Sequence, residues 1–213
     1  MPVRILLVRH GQSEWNALGR WQGQADPPLS DLGRLQARAA AHALGAVGAV
    51  FASDLVRAAE TAAIIAAELG VGPVVIDADL RERDAGEWSG LTRAEIDERY
   101  PGYLPESRGA FAPRDRTKAQ ERRPPGWESD ESVLARALAA ISRIETEVGS
   151  GDVLAVTHGG LIYTVEGHLG QPFDRLANGA GRWIDVDGGQ LTIGERVLLV
   201  TDDAIPATTP NQI

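Results

Sequence analysis

No cysteine occurs among the 213 residues. That excludes a disulfide framework, a Cys-ligated zinc or iron–sulfur site and a thiolate nucleophile. Positive charge is the minority: 21 Lys and Arg against 30 Asp and Glu leave a formal net charge of −9. A molecule of that sign repels nucleic acid and anionic membrane surfaces, so neither is an expected partner. Any anionic substrate must be captured by local cations. Long hydrophobic runs are also missing: none approaches the roughly 18 residues of a membrane helix. The apolar stretch near the N-terminus is too short for a signal sequence and stops at Arg9-His10, so a cytoplasmic location is expected. Histidine is scarce, with four in all, and the place of each is therefore informative.

With 43% hydrophobic residues there is material for one sizeable core, expected over residues 1–200 with a loose tail at 201–213. The run before Arg9 reads as a buried strand, and Gly11-Gln12-Ser13 behind it is turn chemistry. Ser30 caps a helical pattern through Leu44, and Val50-Phe51-Ala52 is a short strand. Ser53-Asp54 then read as an N-cap pair for an Ala-rich helix that Gly70 stops. Val74-Val75-Ile76 is strand-like, Thr92 with Glu95 forms a capping box, and Ser129 to Val148 is helical. Val153 to Val156 is a strand and Leu161 to Leu169 a helix, with a strand-rich end over 182–200. Helices between strands imply an α/β fold, a three-layer α/β/α sandwich around a mostly parallel sheet.

Four segments carry chemistry. Arg9-His10-Gly11 sits at the carboxyl end of a strand, where open α/β sheets bind ligands, and Asn16 lies just downstream. Thr157-His158-Gly159-Gly160 repeats the arrangement of strand, histidine, glycine and helix, a geometry that favours an anion. Arg57 projects from the start of the Ala-rich helix, and Arg81 to Trp88 is a polar stretch after a strand. His42 and His168 fall within helical patterns and read as structural or solvent-facing.

Taken with Gln22-Gly23-Gln24-Ala25-Asp26 and Leu29-Ser30-Asp31-Leu32-Gly33, these segments resemble the histidine phosphatase superfamily, which also holds the cofactor-dependent phosphoglycerate mutases. The resemblance runs from Val3 to about Leu169 and implies a phosphoglycerate mutase-like sandwich. It also implies that His10 takes the phosphoryl group, becoming phosphohistidine. Arg9, Arg57 and His158 would bind the phosphate oxygens, supported by Asn16, Gln22 and Gly159. Arginine suits this because its planar fork donates two aligned, charge-assisted bonds to phosphate. Glu82 matches the proton donor, with Glu87 its nearest rival. The implied substrate is a small phosphomonoester, with no cofactor and no metal; Asp185-Val186-Asp187-Gly188 falls between two strand-like runs and reads as a hairpin turn rather than an ion site.

Hydrolase and mutase share His10, Arg57, Glu82 and His158. The Trp21-Gln22-Gly23-Gln24 run and the short segment between Glu82 and His158 favour the phosphatase branch. A non-catalytic phospholigand-binding regulator is the alternative of another class, disfavoured because the whole constellation is intact. Residues 101–128 form a basic, proline-rich insert, with Arg108, Arg114, Arg116, Lys118, Arg122 and Arg123, expected to act as a lid favouring an anionic substrate. Arg83 and Trp127 are further substrate-contact candidates. Where many relatives carry Gly-Gly-Glu-Ser, this chain has Gly126-Trp127-Glu128-Ser129; Trp127 either stacks on a substrate ring or packs at the helix start. Nothing in the chain opposes a homodimer.

Overall fold

The computed structural model describes residues 2–104 and 122–210. Six strands form one sheet: β1 (Val3–Arg9), β2 (Ala49–Ala52), β3 (Val75–Ile76), β4 (Gly151–Thr157), β5 (Ala180–Asp187) and β6 (Gln190–Leu198). Their spatial order is β3-β2-β4-β1-β5-β6. The first four are mutually parallel, and β5 and β6 add an antiparallel hairpin on one edge. The helices are α1 (Glu14–Ala17), α2 (Asp31–Ala43), α3 (Val56–Leu69), α4 (Arg93–Arg99), α5 (Asp130–Val148) and α6 (Gly159–His168).

Alternation along the strands builds the three layers. Val3, Ile5 and Leu7 of β1, with Val153 and Ala155 of β4, face α5 and α6, meeting Val133, Ala137, Ile141, Leu161 and Ile162. Leu6, Val8, Leu154 and Val156 point the other way, onto Ala40, Ala58, Ala62 and Ile65 of α2 and α3. Strands sandwiched by helices bury both faces, which is why they read as continuous apolar runs rather than as an alternation. A third cluster lies under the loops. Trp21, Trp88 and Trp127 pack edge to face, 5.2 to 6.0 Å apart, with Ile96 and Leu104 beside Trp21 and Trp88.

The β1–β4 register positions the site. Arg9 is opposite Thr157, so the next residue of each chain segment, His10 and His158, emerges at the same sheet edge. The hairpin turn falls two residues later than expected from the sequence: Asp185 to Asp187 belong to β5, β6 begins at Gln190, and only Gly188 (φ 56°) and Gly189 (φ 80°) make the turn. Two successive positive φ angles match the right-handed twist of the strands, and glycine adopts them without strain.

One cap differs from expectation. The residue capping α3 is Leu55, not the Ser53-Asp54 pair, and no side chain of its own caps the helix. Instead Asp26, from a distant loop, accepts from Val56 N at 2.7 Å, while Ser53 Oγ accepts from Leu55 N and Asp54 pairs with Arg81. A carboxylate at the positive end of the helix dipole serves as well from afar as from the adjacent residue. Residues 201–210 hold no helix or strand, yet Thr208 donates to Asn178 Oδ1 at 2.9 Å and the Pro206 carbonyl accepts from Gln36. No helix of the described residues is long and apolar enough to cross a membrane. Of the basic insert, residues 105–121, with Arg108, Arg114, Arg116 and Lys118, lie outside the described residues.

Candidate active site

Elements remote in sequence converge at the carboxyl edge of β1 and β4. His10 is buried, its backbone N–H donating to the Thr157 carbonyl and its own carbonyl accepting from Asn178 Nδ2. The ring is fixed from both sides. Nδ1 lies 2.6 Å from the Gly11 carbonyl, which can only accept, so Nδ1 carries the proton. That leaves Nε2 with its lone pair, toward which Arg57 Nε donates at 3.3 Å. Burial, then the charges of Arg57 and Arg9, hold the His10 imidazole well below its ordinary pKa, against the Gly11 contact that raises it. The ring is therefore neutral at physiological pH, with an available nitrogen pointing at a guanidinium.

Arg57 is wholly buried on the first turn of α3, where it also donates to the Ala25 and Gly23 carbonyls at 2.8 and 2.9 Å. Burial brings its pKa down to about 10, opposed by the carboxylates of Glu82 and Asp26. Arg9 donates to the Leu176 carbonyl at 2.9 Å, but its Nε is buried with no protein partner. His158 lies edge-on to His10, ring centroids 5.0 Å apart, and both its ring nitrogens are buried without partners. Burial first, then the charges of Arg57, His10, Arg9 and Arg136, keep the His158 ring neutral. Such unsatisfied buried groups cost stability unless a ligand completes them. They lie with Arg57 at the N-terminal end of α6, where positive charge and the helix dipole favour an anion rich in acceptor oxygens.

Glu82 comes from the loop after β3. Its Oε1 accepts from Arg83 N at 2.8 Å and Oε2 from Gly160 N at 3.2 Å, so the carboxylate rests on the first turn of α6 beside His158. A Cβ at Gly160 would run into Glu82 Oε1, so any larger residue there would push the carboxyl aside. Glu87 lies apart, exposed and bonded to the Tyr100 hydroxyl. Asn16 belongs to the capping box of α1 and touches Asn178 Nδ2 through Oδ1 at 3.3 Å. Gln22 accepts from Ser13 Oγ at 2.7 Å, and Gly159 packs against Arg9.

Arg83 and Trp127 are placed otherwise. Both terminal nitrogens of Arg83 are engaged, with the Glu128 carbonyl, Thr164 Oγ1 and the Asp130 carboxylate. Trp127 is partly buried in the aromatic cluster, with the Arg123 guanidinium 4.4 Å from its ring centre. Three contributors carry no motif. Asn178 is fully buried and ties His10 to Asn16; Thr61 accepts from Gly11 N at 3.1 Å; Gln36 accepts from Gln12 N at 2.8 Å. The Asn178-Gly179 pair resembles any turn, so nothing local marks it. Among the described residues no group of three or more His, Asp or Glu side chains is arranged to hold a metal ion.

The chain is 38% identical over 199 residues to the glucosyl-3-phosphoglycerate phosphatase of Mycolicibacterium vanbaalenii, covering 87% of this chain and 84% of that one. It is 36% identical over 166 residues to the metal-independent phosphoserine phosphatase of Arabidopsis thaliana, covering 76% and 67%. Among solved structures, the phosphoglycerate mutase of Bacillus anthracis superposes with a TM-score of 0.75 at 25% identity, over 91% of this chain and 92% of that chain. Residues 5–194 match the model of branch 1 of the histidine phosphatase superfamily. With that match over most of its length, and with His10, His158, Arg9 and Arg57 buried together, the chain is a member of that superfamily.

Proposed function

We propose that the protein is a metal-independent phosphomonoesterase that works through a phosphohistidine at His10. The observation that carries this reading is the ring of His10, held by Gly11 in the tautomer whose Nε2 carries the lone pair, facing Arg57. Nε2 attacks phosphorus as the P–O bond to the alcohol breaks, and Glu82 gives its proton to the departing alkoxide. Glu82, now a carboxylate, takes a proton from water; the resulting hydroxide attacks phosphorus, the P–N bond breaks, and phosphate leaves. Arg9, Arg57 and His158 carry the charge on the transferring oxygens, a task metal ions perform in other phosphoryl-transfer enzymes. Asn16 and Gln22 support the loop after β1, and Gly159 opens α6 beside the phosphate. Trp127 acts by packing under that loop network, and Arg83 by anchoring the Glu82 segment to α5 and α6.

The substrate class is a small anionic phosphate ester, such as a phosphoglycerate or its sugar conjugate. This is supported by the basic insert and by the substrate that the mycobacterial relative's name records. Phosphorus NMR with 3-phosphoglycerate and a trace of 2,3-bisphosphoglycerate in EDTA tests the reading. Inorganic phosphate released at the same rate with and without chelator is expected. Accumulation of 2-phosphoglycerate without phosphate would make the protein a mutase, and loss of activity in EDTA would end the metal-free scheme.

Gly160→Ala tests the seat of Glu82. The added methyl displaces the carboxylate, while alanine suits a helix better than glycine. Displacements near 1 Å cost about 10²-fold. Turnover of an alkyl phosphate should fall about that far with the melting temperature unchanged; undiminished turnover would mean Glu82 does not act from this position.

A further inference from the structure

The segment that delivers Glu82 has no regular structure of its own beyond one turn at Ala78–Leu80, yet its backbone is held at several points by one ion pair. Arg136, on the second turn of α5, donates through Nη1 to the carbonyls of Asp79 (2.9 Å) and Arg81 (2.5 Å), and through Nη2 to that of Glu82 (3.1 Å). Glu128 grips the same guanidinium with both oxygens, at 2.8 and 2.9 Å. Glu128 Oε2 also accepts from Asp84 N at 3.1 Å, and its own backbone N–H donates to the Asp84 carbonyl. Only 14% and 13% of the two side chains is exposed. Burial alone would push the Glu128 carboxyl up, but Arg136 outweighs it and holds the carboxyl below the usual range.

Stability alone is a poor account of such a pair. Taking two charges out of water costs about what their attraction returns, and apolar replacements of similar volume are often neutral. What the pair does provide is geometry: three carbonyls and one amide on either side of the Glu82 side chain are fixed to the rigid start of α5. We propose that the Glu128–Arg136 pair is the positioning element of the proton donor, setting where the Glu82 carboxyl meets the leaving oxygen. This rests on Glu82 being that donor.

The distinction can be read from the leaving group. An alkoxide needs a proton to depart, whereas dinitrophenolate does not. First-turnover rates are therefore compared with glycerol 2-phosphate and with 2,4-dinitrophenyl phosphate, in Arg136→Gln, Glu82→Gln and the double variant. Arg136→Gln should slow the alkyl ester about 10²-fold, at the low end for general acid catalysis, and the dinitrophenyl ester less than about threefold. In the double variant, Arg136→Gln should add no further loss on the alkyl ester, because the group it positions is gone. Equal losses on both esters, or losses that multiply, would overturn the proposal and make the pair structural. If Glu82→Gln itself slows both esters alike, the error lies in the assignment of Glu82, and the proposal falls with it. Glu128→Gln keeps the size and one acceptor, and it carries the same comparison should Arg136→Gln fail to fold.

Discussion

His10→Ala is expected to lose at least about 10⁴-fold in kcat, because it removes the nucleophile on which covalent transfer depends. The fold should survive: the ring is small, and β1 keeps its register with β4 and β5 whatever side chain follows it. The measurement is intact-protein mass spectrometry after alkaline quench of a reaction with dinitrophenyl phosphate. The wild type should carry one phosphoryl adduct and the variant none. Adduct on the variant, or more than a few per cent of residual turnover, would place the nucleophile elsewhere. The same substitution has a signature in stability. His10 and His158 both titrate below 6.5 in the fold, whereas the unfolded chain takes up those protons at the ordinary value. Folded protein thus binds fewer protons than unfolded, and stability falls as pH drops below about 6.5, by up to ~1.4 kcal/mol per pH unit for each ring. His10→Ala removes one of the two contributions, so its stability should fall less steeply between pH 6.5 and 5 in urea titrations without phosphate.

The parts of this site that were legible in the sequence share a physical reason. His10 and His158 stand where a buried strand stops and a glycine follows, a break in hydrophobic pattern that can be seen within ten residues. Arg57 was legible because the helix around it is strongly patterned, and Thr92 with Glu95 because a capping box has a fixed spacing. The groups that hold these residues in place were not. Asp26 caps α3 across 30 positions, Asn178 reaches His10 across 168, and Arg136 holds Glu82 across 54. Each is a side chain bonded to a remote backbone group, and such bonds impose no periodicity on the sequence that contains them. The Ser53-Asp54 pair shows the converse: the right residue types stood at the right place, and tertiary structure gave them other partners. Arg83 illustrates the same limit, since nothing in its sequence neighbourhood shows that its guanidinium meets Thr164 and Asp130.

Arg57→Met should separate the two tasks of the buried guanidinium, stabilising phosphoryl oxygens and keeping His10 unprotonated. On the first, loss of an arginine that faces the transferring group costs on the order of 10³-fold or more in turnover. The free site also bears a burden that phosphate relieves. Burial, which brings the Arg57 pKa down to about 10, disfavours its charged form, and a bound anion offsets that. Orthophosphate at about 100 times its Kd adds ~2.7 kcal/mol to the folded state, roughly 5 to 10 °C in melting temperature for a chain of this size. Arg57→Met should lose most of that rise. On the second task the sign is set by charge: Arg57 is, after burial, the main cause lowering both histidines. Removing a nearby positive charge favours the protonated rings, so both pKa values climb toward 6.5, and His10 loses its free Nε2 at a higher pH than in the wild type. The acid limb of kcat/KM, which reports the free enzyme, should therefore move to higher pH in Arg57→Met. A variant that is slow with an unmoved acid limb would confine Arg57 to the phosphate oxygens. One that keeps the full phosphate-induced rise in melting temperature would remove it from the anion site.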